Sequence, residues 1–156
     1  MSGVNRGKQF EKIVHKQLEQ LKNAAVLRLY DVTMGFKGIN NPCDFILYKK
    51  PKMILLECKT SAGPFLNFNS DIRENQWKKM QEYSKIDGVE AGILVWFYNF
   101  DLTYYISIED LQIYKDNGKR SFNCKVDIPT IILKGKKKRF FYEYFMNTFV
   151  EELLNE

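Results

Sequence analysis

The sequence has little of the chemistry on which disulfide-rich, zinc-bound and histidine-based proteins depend. It holds three cysteines, one histidine and four prolines in 156 residues. The cysteines are far apart and form no CxxC pair, so we expect neither a disulfide framework nor a zinc site. A single histidine gives little support to a histidine triad or a histidine-rich metal site. The sequence therefore argues against all three kinds of centre.

Long hydrophobic runs are also missing. No apolar segment approaches the roughly 20 residues that a membrane-spanning helix needs. The first twelve residues carry charges and no apolar centre, so we expect no signal peptide. The sequence therefore predicts a soluble protein of a reducing cytoplasm, with no membrane partner.

What the sequence does have is the composition of a folded, basic protein. Hydrophobic residues make up 45% and aromatic residues 15% of the chain, enough for one sizeable core. We therefore expect a single domain over residues 1–156. The formal charge of +5 indicates a polyanionic partner, either nucleic acid or an anionic membrane surface.

Hydrophobic periodicity and turn residues divide the chain into alternating helices and strands. The predicted helices cover residues 5–22, 71–86, 108–118 and 139–156. The predicted strands cover residues 24–31, 43–49, 52–60, 91–100, 102–108 and 125–133, with loops at 32–42 and 61–70 and a basic turn at 134–139. This order predicts an α/β fold with a central mixed β-sheet flanked by helices.

Opposite charges stand at the end of one apolar strand, in the segment MILLECKTS at residues 53–61. Side chains alternate along a strand, so Leu55, Glu57 and Lys59 share one face. Asp44 begins the preceding strand and would lie beside the end of this one if the two form a hairpin. Two carboxylates and a lysine are therefore predicted to meet at one edge of the sheet.

This predicted cluster suits a divalent metal ion acting on phosphate. Mg²⁺ prefers oxygen ligands and usually takes one or two carboxylates together with waters and substrate phosphate. Asp44 and Glu57 would supply the carboxylates, the backbone carbonyl of Cys58 a third oxygen, and Lys59 a charge near the phosphate and its attacking water. The alternative interpretation is an ordinary surface ion pair between Glu57 and Lys59.

These residues resemble the PD-(D/E)XK nuclease motif, here written Pro42-Cys43-Asp44 and Glu57-Cys58-Lys59. Within that superfamily, most of the chain is similar to the RecU-type Holliday-junction resolvases. The further matching segments are Asn5-Arg6-Gly7 with Phe10-Glu11, Gln76, Gly88 with residues 91–100, and residues 107–122 with Gly118-Lys119-Arg120-Ser121.

The resemblance implies a restriction-endonuclease-like core and a Mg²⁺-dependent endonuclease that cleaves DNA, with Mn²⁺ as a possible substitute. It assigns metal binding to Asp44 and Glu57, help with water and charge to Lys59, and supporting roles to Glu11 and Gln76. Branched or four-way-junction DNA would be the partner, a homodimer the assembly, and a bacterial or phage-infected cytoplasm the location. No small-molecule cofactor is expected.

One departure from the family keeps other functions open. RecU proteins carry a long stalk before the metal-site hairpin, where this sequence has only the short loop predicted at 32–42. A restriction-like or single-strand nuclease without junction specificity is one alternative. A non-catalytic DNA-binding protein that assists recombination is the other.

Two short segments are candidates for DNA contact. Asn5, Arg6 and Lys8 stand at a helix N-terminus, where free N–H groups favour phosphate, although a frayed terminus looks the same in sequence. Lys119, Arg120 and Ser121 follow Gly118 and would clamp a phosphate, or else form a helix end and polar turn.

The last quarter of the chain leaves two further questions open. The run at residues 134–139 is either a contact to the DNA backbone or a solvated turn. The aromatic residues that follow it recur at helical spacing, which indicates core or a dimer face rather than base stacking.

Overall fold

A six-stranded mixed sheet forms the centre of this computed structural model, which describes residues 5–30 and 41–155. The helices are α1 (Arg6–Leu18), α2 (Phe68–Asp71), α3 (Glu74–Ser84), α4 (Ile108–Asp116) and α5 (Met146–Leu154). The strands are β1 (Ala25–Arg28), β2 (Phe45–Lys49), β3 (Lys52–Ser61), β4 (Phe65–Asn67), β5 (Val89–Phe97), β6 (Leu102–Ser107), β7 (Ser121–Asn123), β8 (Ile131–Ile132), β9 (Gly135–Lys137) and β10 (Tyr142–Tyr144).

The strand order of the central sheet is β1-β2-β3-β5-β6-β8. Strands β3 and β5 are parallel, and the other neighbouring pairs are antiparallel. Two small antiparallel sheets, β4–β7 and β9–β10, lie outside it. The predicted fold class, an α/β fold with a central mixed sheet flanked by helices, is confirmed.

Helices cover both faces of the sheet. Residues of α1 and α5 pack on one face, and residues of α2, α3 and α4 pack on the other. Along β3, Ile54, Leu56 and Cys58 belong to the first core and Leu55 to the second. A strand buried on both faces reads as a continuous apolar run, which is the pattern of MILL.

Helix α1 forms as its sequence predicts. The side chain of Asn5 accepts a hydrogen bond from the backbone N–H of Lys8 at 3.1 Å and so caps the helix. Phe10, Val14 and Leu18 are buried along one stripe. The cap and the buried stripe together fix the position of α1 on the sheet.

The predicted hairpin of β2 and β3 is also confirmed. The two strands pair antiparallel from Phe45 opposite Leu56 to Lys49 opposite Lys52. The backbone N–H of Asp44 donates to the carbonyl of Leu56 at 3.0 Å, so Asp44 lies beside the far part of β3. β3 is an inner strand of the sheet and continues to Ser61, so Glu57 and Lys59 lie within the strand and not at its end or at an edge of the sheet as predicted.

Three segments differ from the prediction. Residues 61–70 are not a loop, since they contain the end of β3, all of β4 and most of α2. The strand predicted at 125–133 is reduced to the two residues of β8 at the edge of the sheet. The helix predicted at 139–156 begins only at Met146, because residues 142–144 pair with β9. The loop predicted at 32–42 lies largely outside the described residues.

The basic segment at 134–139 is part of the second small sheet rather than a turn alone, since β9 occupies three of its residues. None of the helices within residues 5–30 and 41–155 is long and apolar enough to cross a membrane. The organisation of residues 1–156 as one domain stays a prediction.

Gly92 offers a test of the sheet packing. A Cβ atom at Gly92 would lie 2.6 Å from the carbonyl oxygen of Ile106 and 2.6 Å from ring carbons of Tyr105. We expect Gly92→Ala to lower the free energy of unfolding by roughly 1–3 kcal/mol, the usual cost of overpacking a core. Denaturant unfolding measures the change.

Gly63→Ala is the matched control, because a Cβ atom there would have nothing within 4 Å. We expect this variant to unfold like the wild type. Equal midpoints for Gly92→Ala and wild type would contradict the close approach of β5, β6 and the Tyr105 ring.

Candidate active site

Asp44 is held beside Cys58 of β3 by two contacts to its carboxylate. Its Oδ2 accepts a hydrogen bond from the backbone N–H of Cys58 at 2.8 Å. Its Oδ1 accepts one from the guanidinium of Arg28 at 3.2 Å. The register of the hairpin therefore fixes Asp44 next to the residue that follows Glu57.

Glu57 is buried, with only 4% of its surface exposed. Its Oε2 accepts a hydrogen bond from the side-chain amide of Gln76 at 2.9 Å and lies 3.2 Å from the ammonium of Lys59. Gln76 projects from α3 and is itself buried. The structure thus brings Glu57, Lys59 and Gln76 into one cluster, on the face of β3 that α3 covers.

This environment opposes the negative charge of Glu57. Burial, reinforced by the Asp44 carboxylate, raises the pKa of Glu57 from 4.5 to about 7, although Lys59 and Gln76 act in the opposite direction. Its second oxygen, Oε1, is buried without a hydrogen-bond partner among the described residues. A buried acceptor without a partner is costly. A cation or a hydrogen-bond donor beside Glu57 Oε1 would remove this cost.

Arg28 is a residue of this site that sequence reasoning missed. Its guanidinium bridges two carboxylates, since it contacts Glu11 at 2.6 Å and Asp44 at 3.2 Å. Burial lowers the pKa of Arg28, but the charges of Glu11 and Asp44 outweigh this effect and leave the pKa raised. The sequence signal is an arginine among the apolar residues of β1, which would be unusual without an acidic partner.

Arg28 also determines where Glu11 lies. Glu11 reaches Asp44 through the guanidinium, so the two carboxylates share one cation. Within residues 5–30 and 41–155, no group of three or more His, Cys, Asp or Glu side chains is arranged to hold a metal ion. Glu11 therefore belongs to the surroundings of the site, and its predicted supporting role stays a prediction.

The donor atoms fit a hard divalent cation with an incomplete protein shell. The Asp44 carboxylate contacts the residue that follows Glu57, and the buried oxygens Glu57 Oε1 and Gln76 Oε1 have no hydrogen-bond partner among the described residues. Mg²⁺ takes one or two carboxylates and keeps waters, so it does not need a third acidic ligand. The role of the Cys58 backbone carbonyl as a third oxygen ligand stays a prediction.

The candidate DNA contacts lie in two places. At the start of α1, Asn5 and Lys8 are exposed, and the guanidinium of Arg6 lies 5.0 Å from the ring centre of Tyr98. At the start of β7, Arg120 is exposed and its carbonyl accepts a hydrogen bond from the N–H of Phe68 at 3.0 Å. The two contact residues, Tyr98 and Phe68, directly follow β5 and β4.

Lys119 differs from these residues, because its ammonium is already paired with the carboxylate of Asp127. Gly118 has a φ of +87°, which matches the interpretation of this segment as a helix end. The charge of Lys119 is therefore largely compensated within the chain. The phosphate clamp predicted for residues 118–121 then depends mainly on Arg120 and Ser121.

A comparison with known proteins identifies the family. A family model described as Recombination protein U, RecU, matches residues 5–147. The chain belongs to the RecU family. RecU proteins are Holliday-junction resolvases, so the chain is a metal-dependent nuclease of this class.

A solved structure is also similar to this RecU protein. The Holliday-junction resolvase Hjc of Archaeoglobus fulgidus aligns with 66% of this chain and 78% of its own, at 15% identity and a TM-score of 0.49. No curated protein sequence matches the chain.

The raised pKa of Glu57 predicts how stability depends on pH without metal. The folded protein holds a proton on Glu57 up to about pH 7, whereas the unfolded chain releases it near 4.5. Stability from this group is therefore full below pH 4.5 and lost as pH rises through 7, by on the order of 3 kcal/mol. We expect Glu57→Gln in EDTA to lack this loss, measured by denaturant unfolding from pH 4 to 8.5.

Glu74→Gln serves as the control, because Glu74 is an exposed glutamate in the first turn of α3. This variant should keep the pH dependence of the wild type. A Glu57→Gln protein with an unchanged pH slope would show that the pKa of Glu57 is the same in the folded and the unfolded protein.

Proposed function

We propose that this RecU-family protein is a Mg²⁺-dependent endodeoxyribonuclease that hydrolyses phosphodiester bonds in branched DNA, with Mn²⁺ as a substitute ion. One observation carries the proposal. Asp44 and the buried Glu57 flank Cys58 of β3 beside Lys59, and one Glu57 oxygen has no hydrogen-bond partner among the described residues. A surface ion pair needs neither burial nor a second carboxylate.

The proposed metal ligands are Asp44, Glu57 and the backbone carbonyl of Cys58. A bound divalent ion supplies Lewis-acid stabilisation of the phosphate and leaving oxygen and lowers the pKa of a water. The hydrogen bond from Cys58 N–H aims Asp44 at this position. Gln76 holds the other carboxylate through its contact with Glu57 Oε2 and leaves Oε1 available.

Lys59 is the proposed partner of the scissile phosphate. Its ammonium lies 3.2 Å from Glu57 and is partly exposed, so it can turn toward an incoming anion. In hydrolysis a water oxygen forms a bond to phosphorus while the bond to one bridging oxygen breaks. Lys59 would orient that water and offset the additional negative charge on the phosphate.

Glu11, Arg28 and Gln76 are proposed as positioning residues. Arg28 fixes Asp44 and Glu11 relative to one another, at 3.2 Å and 2.6 Å. Gln76 fixes Glu57 from the opposite face of the sheet. Rotation of either carboxylate would misplace the metal ligands, so these contacts act through geometry rather than by touching the substrate.

The phosphate backbone would be held by groups on both sides of this centre. Asn5, Arg6 and Lys8 lie at the start of α1, and Lys119, Arg120 and Ser121 lie near the start of β7. The overall charge of +5 favours a polyanion. A resolvase must cut two strands of similar sequence, so we propose a homodimer with one site for each cut. The cytoplasm of a bacterium or phage-infected cell, where such DNA occurs, is the proposed location.

Removing either proposed ligand should separate cleavage from binding. We expect Asp44→Asn and Glu57→Gln each to lower cleavage of a labelled four-way junction by more than about a hundredfold, since even outer contacts of metal sites are worth 10–100-fold. Junction affinity in EDTA should stay within about twofold, because phosphate electrostatics dominates it. Gel cleavage and fluorescence anisotropy measure the two quantities.

Linear duplex and single-stranded DNA, each with Mg²⁺, Mn²⁺ or EDTA, complete this experiment. Asp87→Asn is the control, because Asp87 is an exposed carboxylate near the start of β5, at the opposite end of the sheet. If linear duplex or single strands are cleaved as fast as the junction, the protein is a nuclease without junction specificity, contrary to the proposal. Full cleavage activity of Asp44→Asn or Glu57→Gln would contradict the assignment of these residues as metal ligands.

A second prediction concerns metal binding without DNA. We expect Mg²⁺ or Mn²⁺ to raise the melting temperature of the wild type, because ions that bind only the folded state stabilise it. The rise should be absent in Asp44→Asn/Glu57→Gln and present in Asp87→Asn. Differential scanning calorimetry measures it, and equal shifts in all three proteins would place the ions elsewhere.

A further inference from the structure

The chain places its densest positive run on a small hairpin formed by β9, β10 and the turn between them, here called the basic hairpin (residues 134–145). Its cationic residues are Lys134, Lys136, Lys137, Lys138 and Arg139. Two are paired within the chain, Lys137 with Asp101 at 3.0 Å and Lys138 with Glu143 at 3.4 Å. Lys136 and Arg139 are exposed.

The basic hairpin is fixed firmly to the rest of the fold. The side chain of Gln17 in α1 donates to the carbonyl of Tyr142 at 2.7 Å and accepts from the N–H of Tyr144 at 2.8 Å. The Tyr144 hydroxyl contacts Thr103 of β6 at 2.9 Å. These contacts attach β10 to α1 and β6 and so fix the base of the hairpin.

The turn of this hairpin presents two aromatic rings to solvent. A hydrogen bond from Lys138 N–H to the carbonyl of Phe141 closes it at 2.8 Å. Phe140 is 76% exposed and Phe141 is 46% exposed, whereas Tyr144 and Phe149 are buried as core. Of the two predicted alternatives, core or a dimer face, core therefore does not apply to Phe140 and Phe141. Exposed rings next to cations form a typical surface for nucleic acid.

The basic hairpin reaches the same end of the sheet as the candidate active site. A cleft of about 270 Å³ is lined by residues of the turn together with Arg6 and Tyr98. The N–H of Tyr98 donates to the carbonyl of Ser61 at 3.2 Å, at the end of β3 and two residues beyond Lys59. The hairpin therefore lies near the end of β3 that carries Lys59.

We propose that the basic hairpin is the element that recognises the branch of a DNA junction. Phe140 and Phe141 stack on bases that are open at the branch point, while Lys136 and Arg139 bind the adjoining phosphates. Within a uniform duplex the same bases are stacked and paired, so insertion of the rings would first have to separate them. The hairpin therefore favours branched over linear DNA, an inference that rests on the DNA substrate of the proposed function.

The test compares binding rather than cleavage, so that it does not depend on the metal site. Affinity for a four-way junction and for a linear duplex of the same sequence is measured by anisotropy in EDTA. We expect Phe140→Ala/Phe141→Ala to lose roughly tenfold or more in junction affinity, the effect of removing base–aromatic stacking. Duplex affinity should stay within about twofold, and Phe140→Trp should keep the junction preference.

Tyr48→Ala is the matched control. Tyr48 is 51% exposed and lies near the turn between β2 and β3, at the end of the sheet away from Asp44. Its removal should leave both affinities unchanged. Both rings of the test variant are exposed, so an unchanged melting temperature is expected and checks that the protein folds.

Charge removal tests the second half of the proposal. We expect Lys136→Ala/Arg139→Ala to weaken binding to both DNAs and to reduce the slope of log affinity against log salt by about 2. Lys50→Ala/Lys85→Ala is the control, because both lysines are exposed at the opposite end of the sheet. This control should change the slope by clearly less.

Three results would overturn the inference. The first is wild-type junction binding by Phe140→Ala/Phe141→Ala, and the second is an equal loss for junction and duplex. The third is a loss that follows dissociation of a dimer in sedimentation, which would make the turn a contact between two copies of the chain. Hairpin-dependent junction binding by a protein that cuts no DNA with Mg²⁺ would instead refute the proposed function and leave this inference standing.

Discussion

The site depends on the register between β2 and β3. Because side chains alternate along a strand, a slip of one residue would exchange the faces of β2 and move Asp44 away from the N–H of Cys58. Such a slip is prevented by the cores on both faces, since Ile54 and Leu56 pack on one side and Leu55 on the other. Packing that stabilises the fold therefore also sets the position of the carboxylates.

This arrangement places the Glu57 carboxylate where burial disfavours its charge, with a pKa raised to about 7. Lys59 and Gln76 act against this effect through their contacts with Glu57. The site is therefore less stable when Glu57 is ionised, and we expect a bound cation to stabilise it, as in sites where binding rather than folding determines the residues.

Local pattern was enough to predict the elements whose contacts are close in sequence. Alternation along residues 53–59, the cap at Asn5 and the short turn of the first hairpin all involve neighbours within a few positions. Arg28 was missed because its two partners come from α1 and from the start of β2, which only the tertiary fold brings together. The helix predicted over residues 139–156 was too long for a similar reason, since the contacts of Gln17 with Tyr142 and Tyr144 hold this stretch extended.

The distribution of charge follows from the same constraint. Two carboxylates at the centre repel a DNA phosphate, so an attractive field has to come from elsewhere in the molecule. Lys59 supplies one cation inside the site, and further cations lie around it, on α1, near β7 and on the basic hairpin. In the proposed complex these outer cations would attract the DNA backbone, and solvent and salt would screen them from the proposed metal ligands. The periphery would therefore provide affinity, and Asp44 and Glu57 would bind the ion.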